Sequence, residues 1–355
     1  MKKITAIFVA VLLVFAMTGC TIGEDPAAET TESQGSTTEE ISQGETPAAE
    51  GAATGVLDGA PVPSLEGKTI GVAVIGTTNN FDRTAYEAMQ NRIEELGGTV
   101  VATDGERDDQ KHIAHLETMI TDKPDAIVKM LGDAAVYEPV LKKISDAGIP
   151  LFTLDHPSVY SICNATSDNY SIGSGLAKQI YEDMGGEGMV AVFNGFYGVR
   201  TSAIRYDMLK YVAQDYPNVT FLEPDLQDIT PGTVEDASKK IQDLLTRYPE
   251  GSELKAITAA WDIPGIGAAQ VIDAAGRDDI KVYGIDGDPT ALEMVKDPDS
   301  CYQAIMCQNP KLIGEALIDQ VARYLAGEEV PSSVYVEPVL VTKDNYDVAI
   351  KELYG

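Results

Sequence analysis

The chain is poor in the residue types that most often announce chemistry. Its 355 residues include one tryptophan, three histidines and four cysteines. His112 and His115 stand three apart, but no cysteine or third histidine completes a metal set around them, so a solvated helix face is expected. Asp104, Asp108 and Asp109 lack the spacing of a calcium loop, and no metal site is expected. No Gly-x-x-x-x-Gly-Lys-Ser/Thr phosphate loop and no Gly-x-Ser-x-Gly elbow occurs, which removes two large enzyme classes. Pro264-Gly265-Ile266-Gly267 opens a helix after a strand, but Gln270 takes the place of a third glycine. Tight helix–strand packing explains those glycines better than a dinucleotide does, and no cofactor is expected. Positive charge is scarce as well: 26 Lys and Arg face 56 Asp and Glu, a net charge of −30. A field of that sign repels nucleic acid and anionic lipid and disfavours a strongly anionic ligand.

Long apolar runs are missing except at the start. Met1-Lys2-Lys3 leads into Ile4 to Met17, which is uncharged and mostly apolar. That stretch is shorter than the ~20 residues a spanning helix needs. A basic start, an apolar stretch and small residues before a cut make residues 1–20 a secretory signal. The run ends Met17-Thr18-Gly19-Cys20, which resembles the lipobox of bacterial lipoproteins. The resemblance implies that Cys20 becomes the lipid-bearing first residue of a protein anchored to the membrane outside the cytoplasm. Residues 21–67 contain no lysine, arginine or aromatic residue but ten Asp and Glu. Such a segment buries too little apolar surface to offset its ordering entropy, so a disordered acidic tether is expected, with a reach of roughly 35–40 Å.

Three cysteines remain: Cys163, Cys301 and Cys307. Cys301 and Cys307 on one strand would lie roughly 20 Å apart, too far for the ~5.5 Å that a disulfide needs between Cα atoms. Buried small hydrophobes are the expectation for all three.

From residue 68 onward, apolar runs of strand length alternate with helical patterns. Ile70–Ile75, Val100–Ala102, Ala126–Met130 and Leu151–Leu154 read as strands, separated by helices over Arg83–Leu96, His112–Ile120 and Val136–Asp146. The rhythm resumes with strands Met189–Phe193, Thr220–Leu222, Lys255–Thr258, Lys281–Ile285 and Tyr302–Met306. Helices Ser202–Asp215, Val234–Arg247, Gly265–Ala275 and Pro310–Leu325 accompany them. This alternation implies right-handed βαβ units and an α/β fold of two similar Rossmann-like lobes with parallel sheets. Ligands of such sheets sit beyond the carboxyl ends of the strands. The segments there hold amides, carboxylates, an imidazole and large aromatics, a set suited to a polyhydroxylated or heterocyclic small molecule.

These segments, in order, resemble the ribose/galactose-type sugar-binding proteins of bacterial ABC importers. Asn79-Asn80-Phe81 follows the first strand, and Gly148-Ile149-Pro150 leads to Thr153-Leu154-Asp155-His156. Ser167-Asp168-Asn169 precedes a Gly-rich helix start, and Gly284-Ile285-Asp286-Gly287 closes the series. The resemblance covers about residues 68–345. It implies the type 1 periplasmic binding protein fold, with a hinge of three chain crossings near Asn169, Gln308 and Glu337. The lobes would then be 68–168 plus 309–337 and 169–308 plus 338–355. It implies a monomer that closes on a small neutral ligand, a sugar or polyol, and docks on an ABC permease. A sensory receptor acting through a membrane kinase or chemoreceptor is the alternative.

Carried over by position, Asn80, or Asn79 one residue earlier, bonds ligand hydroxyls and Phe81 packs on the ligand's apolar face. Asp155 and Asp286 accept hydroxyl protons, one from each lobe, and Gln308 acts near a crossing segment. Arg205 stands at the ligand arginine, unless a two-residue shift places Ala203 there. Met130 and His156 replace an asparagine and an arginine of the ribose-type pattern, and Trp261 replaces another asparagine. The pocket thereby trades hydrogen-bonding groups for a large π-face. Asp155 and Asp286 read as acceptors rather than paired catalytic carboxylates, so no catalytic residue is expected.

Overall fold

The computed structural model describes residues 61–354. The expected signal, the lipidation site Cys20 and most of the expected tether lie outside the described residues. The last part of that tether is corrected. Leu65 is fully buried, and its N–H donates to the Leu96 carbonyl at 2.7 Å. It is among the few apolar side chains of its segment, and it fills the space at the end of the first helix.

Two six-stranded sheets organise the described chain. The first contains β1 (Thr69–Val74), β2 (Thr99–Asp104), β3 (Ala126–Met130), β4 (Leu151–Leu154), β5 (Cys163–Ser167) and β11 (Ser333–Val336). Its order is β11-β5-β4-β3-β1-β2, and every pair is parallel. The second contains β6 (Glu187–Phe193), β7 (Asn218–Phe221), β8 (Leu254–Ala259), β9 (Lys281–Asp286), β10 (Tyr302–Cys307) and β12 (Val339–Thr342). Its order is β12-β10-β9-β8-β6-β7, parallel except for the β10/β12 edge. The chain passes between the sheets after Ser167, after Cys307 and between Val336 and Val339.

The strands read as continuous apolar runs because helices cover both faces of each sheet. All five residues of β3 are buried, Lys129 included. In the first lobe one face packs against α1 (Asn80–Glu95) and α9 (Pro310–Leu325) through Phe81, Met89, Ile93, Ile313 and Leu317. The other face packs against α2 (Asp109–Asp122) and α3 (Ala134–Asp146) through Leu116, Met119, Tyr137 and Leu141. In the second lobe α6 (Thr233–Arg247), α7 (Asp262–Ala274), α8 (Pro289–Lys296) and α10 (Tyr346–Tyr354) enclose one core. α4 (Asn169–Asp183) and α5 (Arg200–Val212) enclose the other. Gly267, in the stretch that faintly suggested a dinucleotide, packs α7 against Val234 and Ala237 of α6.

Side-chain caps start many of these helices. Asn79, Asp108, Asp133, Asp168, Asp288 and Asn309 each accept an N–H from the first turn, satisfying donors that a helix leaves unpaired at its start. His112 corrects the reading of a solvated face on α2. It is fully buried, its ring 5.0 Å from that of Tyr137. Cys163, Cys301 and Cys307 are buried free thiols. No helix among the described residues is long and apolar enough to cross a membrane.

Candidate ligand-binding site

The carboxyl ends of the two sheets face each other across a cleft, and a cavity of about 70 Å³ lies there. One water needs ~10–15 Å³ on this measure, so the cavity has room for roughly five waters, the scale of a small organic ligand. The first lobe supplies Asn79, Phe81, Asp82, Arg107, Leu131 and Asp155. The second supplies Phe196, Arg205, Trp261 and Asp286, with Gln308 at a crossing.

Each polar group is held by its own local structure. Asp155 follows β4 in a left-handed conformation, φ +52°, and its Oδ1 accepts from Thr166 Oγ1 at 2.5 Å. Burial pushes its carboxyl above the usual range, opposed by the nearby Arg205 guanidinium. Asp286 ends β9 at φ +111°. Its Oδ1 accepts from Gln308 Nε2 at 2.6 Å and faces Arg205 at 3.4 Å. Burial raises this carboxyl too, again against the Arg205 charge. Arg205 Nε donates to Asn169 Oδ1 and a terminal nitrogen donates to the Ala260 carbonyl, both at 2.7 Å. The guanidinium is therefore fixed in place before any ligand arrives. Asp82 is paired with Arg107, and burial still lifts it to about 6. Gln308 Oε1 is buried without a hydrogen-bond partner among the described residues.

Acceptors thus come from both lobes, donors come from two guanidiniums and an amide, and apolar surface comes from Phe81, Phe196 and Trp261. Hydroxyl groups both donate and accept, so a compound carrying several of them on a carbon frame matches this lining.

The cavity gathers most of the residues singled out from sequence. Asn79, Phe81, Asp155, Arg205, Trp261, Asp286 and Gln308 line it. Asn80 faces the outer cleft instead, beside Arg83, Thr230 and Asp288, and Ala203 is buried in α5 without lining the cavity. Met130 is corrected: it is fully buried in the core of the first lobe. The next residue, Leu131 at φ +56°, turns into the cavity.

His156 is also corrected. The left-handed turn at Asp155 is followed by a side chain that enters the lobe rather than the cleft. His156 Nδ1 lies 2.9 Å from Lys129 Nζ and 3.2 Å from the Gly132 carbonyl. Burial and the neighbouring Lys129 push the imidazole down to about 3. Sequence reasoning missed Asp82, Arg107 and Phe196. Phe196 lies in a segment already marked by its place after a strand. Asp82 likewise ends the segment marked after β1, while Arg107 carries no signal except its place after β2.

Residues 70–329 match the periplasmic binding protein domain family. The ribose import binding protein of Salmonella typhimurium is 27% identical over 275 residues, 76% of this chain and 89% of that protein. A xylitol-binding protein of Mycolicibacterium smegmatis is 26% identical over 272 residues, 75% of this chain and 73% of that protein. Among solved structures, an ABC sugar transporter subunit from Rhodobacter sphaeroides is 49% identical with a TM-score of 0.79, covering 79% of this chain and 100% of that one. An ABC transporter solute binding protein from Agrobacterium vitis with bound allitol is 46% identical with a TM-score of 0.80, covering 82% of this chain and 100% of that one.

Proposed function

The chain belongs to the periplasmic binding protein family, and from that premise we propose that it captures a small neutral polyhydroxylated ligand, a sugar or an alditol, and delivers it to an ABC permease. The observation that carries this reading is the mixed lining of one small cavity. Asp82 and Asp155 from the first lobe and Asp286 from the second accept hydroxyl protons, Arg107 and Arg205 donate, and the buried Gln308 Oε1 offers a further acceptor. Phe81, Phe196 and Trp261 cover the carbon frame. The allitol bound to the Agrobacterium vitis relative and the xylitol in the name of the Mycolicibacterium smegmatis protein support a place for linear polyols beside ring sugars.

The binding step is closure. The cavity needs both lobes, so ligand binds the closed form and stabilises it by mass action. The role is binding and hand-over, with no bond made or broken. We assign the chain a place outside the cytoplasm, with residues 1–20 as export signal, Cys20 as lipid anchor and the acidic segment as spacer.

A titration of allitol, xylitol, D-ribose and D-fructose tests this, followed by Trp261 fluorescence and calorimetry. One saturating, tight response with a closing of the lobes in small-angle scattering is expected. No response to any polyol or sugar in a wider panel would overturn the ligand class.

A further inference from the structure

We infer that Asp228 is a positioning residue for the ligand cleft: its carboxylate ties together the two segments that carry the aromatic wall and so sets which small polyols fit. This rests on the polyol reading above, and it concerns a residue that does not line the cavity.

Asp228 is 6% exposed and lies between β7 and α6. Its Oδ1 accepts the Gly195 N–H at 2.6 Å, and its Oδ2 accepts the Trp261 indole N–H at 2.5 Å. Gly195 precedes Phe196 in the segment after β6, and Trp261 stands just after β8. One carboxylate therefore holds both aromatic residues of the second lobe's wall. Their rings meet edge to face, 5.7 Å apart at 85°. The approach at Gly195 is so close that a Cβ there would lie 2.3 Å from the Asp228 carbonyl oxygen.

The anchor is itself anchored. The Leu226 N–H donates to Val192 O at 2.9 Å, and the Asn194 N–H donates to Leu226 O at 2.8 Å. Lys240 Nζ donates to Gln227 O at 2.6 Å. Asp228 is thus placed by backbone contacts that do not involve the ligand.

The indole is held by this short hydrogen bond on one side and by the edge of the Phe196 ring on the other, so it has little freedom. The bond also has a chemical consequence. The indole N–H is the only polar group on that side chain, and Asp228 consumes it. What Trp261 offers the cleft is apolar surface alone. Phe196 and Val199 extend that surface, while the charged groups stand apart from it: Asp82, Arg107 and Asp155 on the first lobe and Arg205 and Asp286 on the second. The cleft then favours a polyol that turns C–H groups toward the second lobe's aromatic wall and hydroxyls toward the carboxylates.

Asp228→Asn tests the assignment, because an amide has one acceptor and one donor end and cannot accept both N–H groups in the same way. Three readouts are taken: calorimetric affinity for allitol, xylitol and D-ribose, Trp261 emission without ligand, and the thermal midpoint. We expect the tightest of the three ligands to lose at least tenfold in affinity. We also expect the spread among the three to narrow, and the ligand-free emission to move to longer wavelength as the indole gains water contact. Trp261→Phe, which keeps an aromatic ring but removes the donor, should narrow the spread as well. In that background Asp228→Asn should change affinity less than threefold, because the two residues act as one unit.

Equal proportional losses for all three ligands with unchanged emission, or additive effects in the double variant, would overturn the assignment and leave Asp228 a purely structural group. If the wild-type protein binds none of the three and no other polyol or sugar of the wider panel, the polyol reading fails on its own. The emission of Asp228→Asn then decides the positioning claim: a shift supports it and an unchanged spectrum sinks it.

Discussion

Gly198 of the second lobe lies against Asp133 of the first so closely that a methyl group on Gly198 would come 1.8 Å from Asp133 Oδ2. The Ala134 N–H, at the start of α3, donates to the Gly198 carbonyl at 3.2 Å. The contact joins the lobes directly across the cleft. Gly198 is outside the left-handed region, so alanine suits its backbone and clashes only when the lobes are together. We expect Gly198→Ala to lower ligand affinity at least tenfold, about 1.4 kcal/mol, with the thermal midpoint of the ligand-free protein unchanged. Calorimetry and scanning calorimetry on the same samples check this. Wild-type affinity in the variant would show that closure does not need this contact.

The alternation of apolar strands and amphipathic helices was readable because period-2 and period-3.6 patterns are local, and the rule for parallel sheets then pointed to strand ends. Asp155, Trp261 and Asp286 are reached that way, whereas Arg205 lies inside α5 and is reached only through the family resemblance. Side-chain direction was not readable. It turns on backbone torsions at single residues: Leu131, at +56°, turns into the cavity in place of Met130, and Asp155 at +52° precedes a histidine that enters the lobe. Pairings across the fold were equally hidden. Arg107 meets Asp82 only when β2 lies beside β1, and nothing in either segment announces the partner. The short edge strands β11 and β12, four residues each, escaped notice because their pairing depends on where the chain crosses between lobes.

Leu65 belongs to the first lobe's core although it sits in an acidic, alanine-rich stretch. It is fully buried against that core, and its N–H is bonded to Leu96 O. Leu65→Ala should cost about 2–4 kcal/mol of folding stability, the range for emptying a buried leucine site. Urea unfolding followed by circular dichroism reads it. A cost below about 0.5 kcal/mol, typical of a surface change, would mean that residues before Lys68 do not contribute to the fold.

His112 makes the protein sensitive to acid in a way that can be separated from the cleft. It is fully buried, neither ring nitrogen has a hydrogen-bond partner among the described residues, and burial, then Lys129, lowers it to about 3. The unfolded imidazole titrates near ~6.5. Between those values the unfolded chain binds a proton that the fold refuses, so stability falls as pH drops from about 6.5 toward 3. At pH 5 this amounts to about 2 kcal/mol. His112→Phe keeps a ring against Tyr137 and removes the proton. Its thermal midpoint relative to wild type should therefore rise more at pH 5 than at pH 7.5. An equal difference at both values would show that His112 does not carry the acid response.

Asp262 shows how a group outside the cavity sets one inside it. Its Oδ2 accepts the N–H groups of Gly287 at 2.7 Å and Asp288 at 2.6 Å, and its Oδ1 accepts from the Tyr302 hydroxyl at 3.3 Å. These bonds fix the segment directly after Asp286, whose φ of +111° is unusual for a residue with a side chain. Burial, and then the charge of Asp286, push the Asp262 carboxyl well above its usual range. The fold therefore takes up a proton here that the unfolded chain lacks, and this group's contribution to stability falls as pH rises above about 4. An amide imitates the protonated acid: its oxygen accepts the two N–H groups and its nitrogen donates to the Tyr302 oxygen. Asp262→Asn should hold ligand affinity within about threefold, about 0.7 kcal/mol, and lose the pH-dependent part of the stability. Asp262→Ala strands two backbone N–H groups, at about 1–3 kcal/mol each. It also frees Asp286 to leave the geometry that meets Arg205 and Gln308, so affinity should fall at least tenfold. Denaturant melts across pH and calorimetry at neutral pH separate the two variants. If asparagine proves as damaging as alanine, the ionised carboxylate itself is required, and Asp262 acts on the cleft through its charge rather than through the backbone it holds.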